Sequence, residues 1–145
     1  MTLSREAKLV SGVTLLAVPT VMYGGWTLLG ILTQGSAGAA LPHFELTEMQ
    51  WALWRAGHAH AGVWLVLSLV VQLLLDSSRL SAAMRWLARI CAPAAAVAMS
   101  AGLFGLAFLP VFRWVLYAGA LCLVVSMVLT GVGLLRNTHN RTAEL

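Results

Sequence analysis

Two histidines and an arginine interrupt a stretch that is otherwise apolar enough to cross a membrane. The stretch begins with Trp51-Ala-Leu-Trp-Arg-Ala-Gly-His-Ala-His-Ala-Gly62 and continues as an apolar run to Leu75. Ionisable side chains at membrane depth are costly and rare, so they indicate a functional site by default. His58 and His60 are two residues apart, which separates their directions on a helix by about 200°. They therefore cannot chelate one ion together, because helical chelation needs a spacing of three or four residues.

Four features of this segment favour a haem b site. Axial ligation by a histidine imidazole is a standard way to hold haem iron, and either His58 or His60 can supply it. Arg55 lies about one turn before His58, where its guanidinium would pair with a propionate. Small residues around the histidines leave room for a macrocycle to approach the helix, namely Gly57, Ala59, Ala61 and Gly62. Tryptophans supply flat aromatic walls, namely Trp51, Trp54 and Trp64.

A structural interpretation of the same residues stays open. Membrane histidines also form hydrogen bonds between helices, and helix faces of small residues are commonly packing faces. Met99 and Met127 are candidate sixth ligands, although methionines at such positions are more commonly core residues. His43 and His139 fall outside the predicted spans, where solvated side chains are expected.

Composition predicts the elements that position these residues. The chain has 145 residues, 60% hydrophobic and 10% charged, with a mean hydropathy of +0.86, whereas soluble domains carry about 25% charged residues. A span needs about 20 apolar residues, and four such runs nearly fill the sequence, at 9–32, 48–75, 83–109 and 112–135. We therefore predict one all-α domain over 1–145, a four-helix transmembrane bundle.

Local signals predict where these helices bend, begin and pack. Pro19 predicts a kink in the first span, and Pro110 predicts the end of the third. Residues 33–47 form the long loop, and Thr47 with Gln50 fits a capping box at the start of the second span. The third span is rich in alanine and glycine, which predicts the closest helix packing.

The basic residues predict the orientation of the bundle in the membrane. The N-terminus, the second connection and the tail hold seven of the nine: Arg5, Lys8, Arg79, Arg85, Arg89, Arg136 and Arg141. By the positive-inside rule both termini are cytoplasmic, and we expect a bacterial cell membrane. Because the net charge of +4 arises at helix ends, nucleic acid is excluded as a partner. Cys91 and Cys122 lack metal-binding or redox spacing and are interpreted as small buried hydrophobic residues.

The opening segment resembles that of the styrene oxide isomerases, small four-span membrane enzymes. Their second span starts with a Trp-x-Arg-Ala-His-x-Gly-like segment. The matching residues here are Trp54-Arg55-Ala56 and His60-Ala61-Gly62, with Gly57-His58-Ala59 between the two pieces. The glycine-rich first span and the loop before Trp51 are similar too. The register of the glycine favours His60 as the counterpart of the family's histidine, whereas proximity to Arg55 favours His58.

The resemblance implies a haem b between the protomers of a trimer, with the histidine as axial ligand and an isomerase activity. Ferric iron would act as a Lewis acid on an epoxide oxygen, and a hydride shift would give an aldehyde. The family also places an asparagine after the histidine and a tyrosine in the third span. This chain has Ala61-Gly62-Val63 and Phe104-Gly105 in those regions. Two alternatives remain open: a haem-containing electron-transfer or quinone-reactive subunit, and a non-enzymatic membrane assembly subunit.

Overall fold

Four long helices make up most of the described part of the chain. The computed structural model describes residues 3–39 and 45–141, with side chains of the last helix as far as Arg136. The helices are α1 (Arg5–Leu32), α2 (Glu48–Asp76), α3 (Ala82–Leu106) and α4 (Arg113–Arg141). Each is long and apolar enough to cross a membrane, so the predicted all-α bundle is confirmed. His43 and the side chain of His139 lie outside the described part.

The helix boundaries follow the predicted caps closely. The Thr47 hydroxyl accepts from the Gln50 backbone N–H and the Gln50 side chain accepts from the Thr47 backbone N–H, so the predicted capping box is confirmed. α3 ends at Leu106, three residues before the predicted end, and Pro110–Phe112 forms a short 3-10 helix leading into α4. α4 itself continues to Arg141, so the segment from Arg136, which was predicted as a polar tail, begins as helix.

α3 is the central helix, and its small residues permit this position. It packs against both α2 and α4, and its apolar window is 44% buried, the largest share of the four helices. A Cβ atom at Gly102 would lie 2.7 Å from the Leu116 backbone of α4, and one at Gly119 would lie 2.7 Å from the Met99 backbone of α3. The predicted close packing of the third span is therefore confirmed.

α1 is the peripheral helix. Only 11% of its apolar window is buried, and it contacts mainly α2. The loop after α1 turns back over its end, where the Ala39 N–H donates to the Trp26 carbonyl at 3.2 Å. Gly38, with φ +78°, approaches the Gly30 backbone too closely for a side chain. Contacts at the ends of α1 therefore contribute more to its attachment than burial of its apolar side chains does.

The four crossings place the connections at two ends of the bundle. One end, called here the terminal end, holds the start of α1, the α2–α3 connection and the last turns of α4; there the Arg79 N–H donates to the Gly133 carbonyl at 3.0 Å. The other, called the loop end, holds the described residues between α1 and α2, which are 33–39 and 45–47, and the turn at Pro110. The Trp51–Gly62 segment lies in the half of α2 nearer the loop end.

Candidate functional site

The periodicity of α2 distributes the predicted site residues over three faces. Its buried face carries Gly57, Leu65 and other residues turned towards the bundle. Its exposed face carries Arg55, Ala59 and Val63. His58 and His60 flank this exposed face on opposite sides, as the 200° separation requires. The structure therefore gives the two imidazoles different surroundings.

His60 has one ring nitrogen fixed by its own helix. Its Nδ1 lies 2.7 Å from the Ala56 carbonyl oxygen, which can only accept, so Nδ1 carries the proton and Nε2 is left as an acceptor. The ring lies beside Trp64, with centroids 6.2 Å apart. Ala59, His60, Val63 and Trp64 line a shallow recess of about 190 Å³ on the outside of the helix. In this tautomer Nε2 is the nitrogen left to bind a partner on the outside of α2.

His58 instead packs against α1. A Cβ atom at Gly25 would lie 2.9 Å from His58 Nε2, and one at Gly24 would lie 4.0 Å from Nδ1. The two glycines therefore provide the space for this imidazole, as small residues commonly do where membrane helices pack closely. Neither nitrogen of His58 makes a hydrogen bond with any residue that the structure describes.

An apolar cavity of about 550 Å³ lies between α1, α2 and α3, with His58 in its wall. Its volume is within the range of about 300–1,000 Å³ that is typical of small-molecule sites. Most of its lining is aliphatic or aromatic, and the polar side-chain atoms of the lining belong to His58, Thr27 and the Trp54 indole. The residues from α1 are Gly24, Thr27, Leu28 and Ile31, those from α2 are Trp54 and His58, and those from α3 and the following turn are Ala101, Phe104, Gly105, Phe108 and Phe112.

Trp54 and Gly57 face α3 rather than the outside of the molecule. The Trp54 ring makes edge contacts with Phe104 and Phe108, at centroid distances of 6.0 and 5.9 Å. A Cβ atom at Gly57 would lie 3.2 Å from the Phe104 ring. The clearance predicted at Gly57 is therefore occupied by α3. Trp54 Nε1 is buried without a hydrogen-bond partner in the described part of the chain.

Arg55 and Gly62 lie towards the outside. Arg55 is exposed and forms no ion pair with the described residues. No atom lies within 4 Å of a Cβ position at Gly62, so the clearance predicted there exists. Gly62 lines an open groove together with His58, Ala59 and Val66. This groove joins the His58 side of α2 to its exposed face.

Other candidate ligands are remote from the histidines. No group of three or more histidine, cysteine or acidic side chains is placed to hold a metal ion in the described residues. Met127 packs against the core cluster near the terminal end, and Met99 packs against Gly119 of α4. Cys91 and Cys122 are free thiols. The methionines therefore have the core role that was the commoner expectation.

A polar cluster at the terminal end was not predicted from the sequence. It is called here the Arg89 cluster, and it consists of Ser4, Gln72, Asp76 and Arg89. Arg89 was counted with the second connection, yet it lies in α3, is 3% exposed and pairs with Asp76. Its Nη1 also donates to Gln72 Oε1 at 3.1 Å. The Asp76 carboxylate accepts from the Ser4 backbone and hydroxyl at 2.8 and 2.7 Å. The four-residue spacing of Gln72 and Asp76, on one face of α2, was the available signal.

The fold and the site together define a multi-pass helical membrane protein with an imidazole on each flank of its second helix. No family model, no curated protein and no solved structure matches the chain.

Proposed function

We propose that the protein binds haem b on the outer face of α2, with His60 as the axial ligand. The observation that carries the proposal is the hydrogen bond from His60 Nδ1 to the Ala56 carbonyl, 2.7 Å long. Metal-ligating histidines almost always donate their second ring nitrogen in this way, which fixes the tautomer and orients the ring. His58 is less suited, because its Nε2 lies against the α1 backbone at Gly25.

The surroundings of His60 fit a flat apolar group on the surface. Ala59 and Val63 leave the exposed face low and apolar, and Trp64 stands beside the imidazole. Arg55 lies on the exposed face and is available to a carboxylate, because it has no ion-pair partner in the described residues. A haem held on this outward face would be covered by a second copy of the chain, as in the trimer that the resemblance implies.

The proposed activity is the isomerisation of an epoxide to an aldehyde. When bound, ferric haem would supply a Lewis acid for the epoxide oxygen, and opening with a hydride shift involves no net oxidation. In the described residues His60 is the single imidazole on its flank of α2, so His60 would hold the haem and the haem would supply the Lewis acid. An electron carrier with two protein ligands would need a second ligand from elsewhere, such as another copy of the chain, and the resemblance to the styrene oxide isomerases favours the isomerase over this alternative.

The test is the absorption spectrum of protein purified after expression with ample haem. We expect a Soret band in the wild type, loss of that band in His60→Ala and its retention in His58→Ala. The two variants are matched, since each removes one imidazole from the same segment of α2. Loss of the band in His58→Ala alone would overturn the assignment of the ligand.

Two further results separate the alternatives. A wild-type protein without a Soret band would overturn haem binding and favour an assembly subunit whose histidines serve packing. A haem protein that is six-coordinate and readily reduced by a quinol would favour the electron-transfer subunit. Chromatography of an aryl epoxide incubated with the ferric protein should show the aldehyde, and none with His60→Ala.

A further inference from the structure

We infer that the cavity between α1, α2 and α3 binds a flat, uncharged ring molecule with a carbonyl oxygen, and that His58 donates a hydrogen bond to this oxygen. The cavity has a volume of about 550 Å³. It lies on the opposite flank of α2 from His60, so the inference does not depend on the presence of haem. The molecule would be one that dissolves in the bilayer and enters from it.

The walls determine the shape of the ligand. Aromatic rings from α2, α3 and the turn after α3 surround the cavity, namely those of Trp54, Phe104, Phe108 and Phe112. Aromatic side chains favour stacked or edge contacts with another ring. The floor at Gly24 carries no side chain, and a Cβ atom there would approach only His58, at 4.0 Å. A flat ring therefore fits this cavity better than a branched molecule.

The polar atoms determine the chemistry of the ligand. No charged residue lines the cavity, and an unpaired charge in such surroundings is strongly disfavoured, so the ligand is uncharged. The Thr27 hydroxyl already donates to the Tyr23 carbonyl at 2.9 Å. His58 has no partner in the described residues, and its nitrogens are not among the buried unpartnered atoms. The other unpartnered donor of the lining, Trp54 Nε1, is fully enclosed. His58 is therefore the donor that a ligand can reach, and a carbonyl in the plane of a ring is a suitable acceptor.

A lipid acyl chain is the competing occupant, because it would fill the apolar volume without using His58. The two occupants can be distinguished by affinity, because a carbonyl oxygen strengthens binding only if His58 donates a hydrogen bond to it. The haem-free protein, with both histidines, is reconstituted in lipid nanodiscs. Duroquinone and durene are suitable probes, since they share a tetramethylated six-membered ring and only duroquinone carries carbonyl oxygens. The amount of each probe retained above that in empty discs is measured by gas chromatography.

We expect duroquinone to bind roughly threefold to tenfold more tightly than durene, as one net hydrogen bond provides. His58→Phe keeps a flat ring against α1 but has no donor, so it should abolish this preference and leave durene binding unchanged. Equal binding of both probes to the wild type would overturn the inference and indicate an acyl-chain site.

Filling the cavity gives an independent test of its position. Gly24→Leu places a side chain in the cavity without meeting backbone and should abolish retention of both probes. Gly12→Leu is the matched control on the same helix, since no atom lies within 4 Å of its Cβ position, and it should retain both. If Gly24→Leu fails to fold, Ala101→Leu fills the cavity from α3 instead. Undiminished retention in a folded cavity-filled variant would place the probes elsewhere and overturn the inference.

Discussion

The Arg89 cluster and the region around His58, in opposite halves of the bundle, differ in how their polar side chains are hydrogen-bonded. In the Arg89 cluster at the terminal end, the buried guanidinium is partnered by Asp76, Gln72 and Ser4. In the half nearer the loop end, neither the half-buried His58 nor the buried Trp54 Nε1 has a hydrogen-bond partner in the described residues. Buried polar groups are normally satisfied, and the Trp54 indole is an exception, whereas the nitrogens of His58 are not fully enclosed. The Arg89 cluster therefore holds helices together, whereas the unpartnered imidazole is available for a ligand.

The geometry of the Arg89 cluster explains why it is structural. Asp76 ends α2 and faces the first turn of α1, where a carboxylate is favoured by the helix dipole. Arg89 reaches from α3 to the same carboxylate and to the Gln72 carbonyl. The cluster thus joins three helices at one point. This contact matters most for α1, whose apolar window is only 11% buried.

The largest expected effect comes from breaking this cluster. Asp76→Ala removes the counter-ion of Arg89 and the acceptor of Ser4, and loss of one partner of a buried ion pair costs about 3–5 kcal/mol. We expect a corresponding drop in the free energy of unfolding, measured by denaturant titration in a fixed detergent. Asp76→Ala with Arg89→Met should recover most of the loss, because no unpaired charge remains. A single variant as stable as the wild type would contradict the structural role.

A smaller loss is expected where α3 meets α4. Gly102→Val places a side chain against the Leu116 backbone, 2.7 Å from the Cβ position, and overpacking of this kind costs about 1–3 kcal/mol. Gly131→Val in α4 is the control, since nothing lies within 4 Å of its Cβ position. Thermal unfolding in the same detergent checks both. Equal stability of the two variants would show that α3 and α4 are packed more loosely than the structure has them.

The sequence predicted the positions of the helices more accurately than the neighbours that each helix face contacts. Hydropathy and the Thr47 cap located the spans within a few residues, because both signals are local. The separation of His58 from His60 was also predictable, since it follows from helical periodicity alone. The neighbours of each face depend on tertiary contacts, so the sequence could not show that Phe104 occupies the space at Gly57. For the same reason Arg89 was counted as a connecting residue, although Asp76 and Ser4 bury it.

The smallest change in the free energy of unfolding is expected from a substitution of His58, in the half of the bundle away from the Arg89 cluster. His58→Phe in haem-free protein should change the free energy of unfolding by less than about 0.5 kcal/mol, since the imidazole makes no hydrogen bond that phenyl would lose. The measurement is the denaturant titration used for Asp76→Ala. A loss of more than about 1 kcal/mol would mean that His58 bridges helices. A near-zero change would show that an imidazole at membrane depth is retained without a stabilising role, as a ligand-binding group would be.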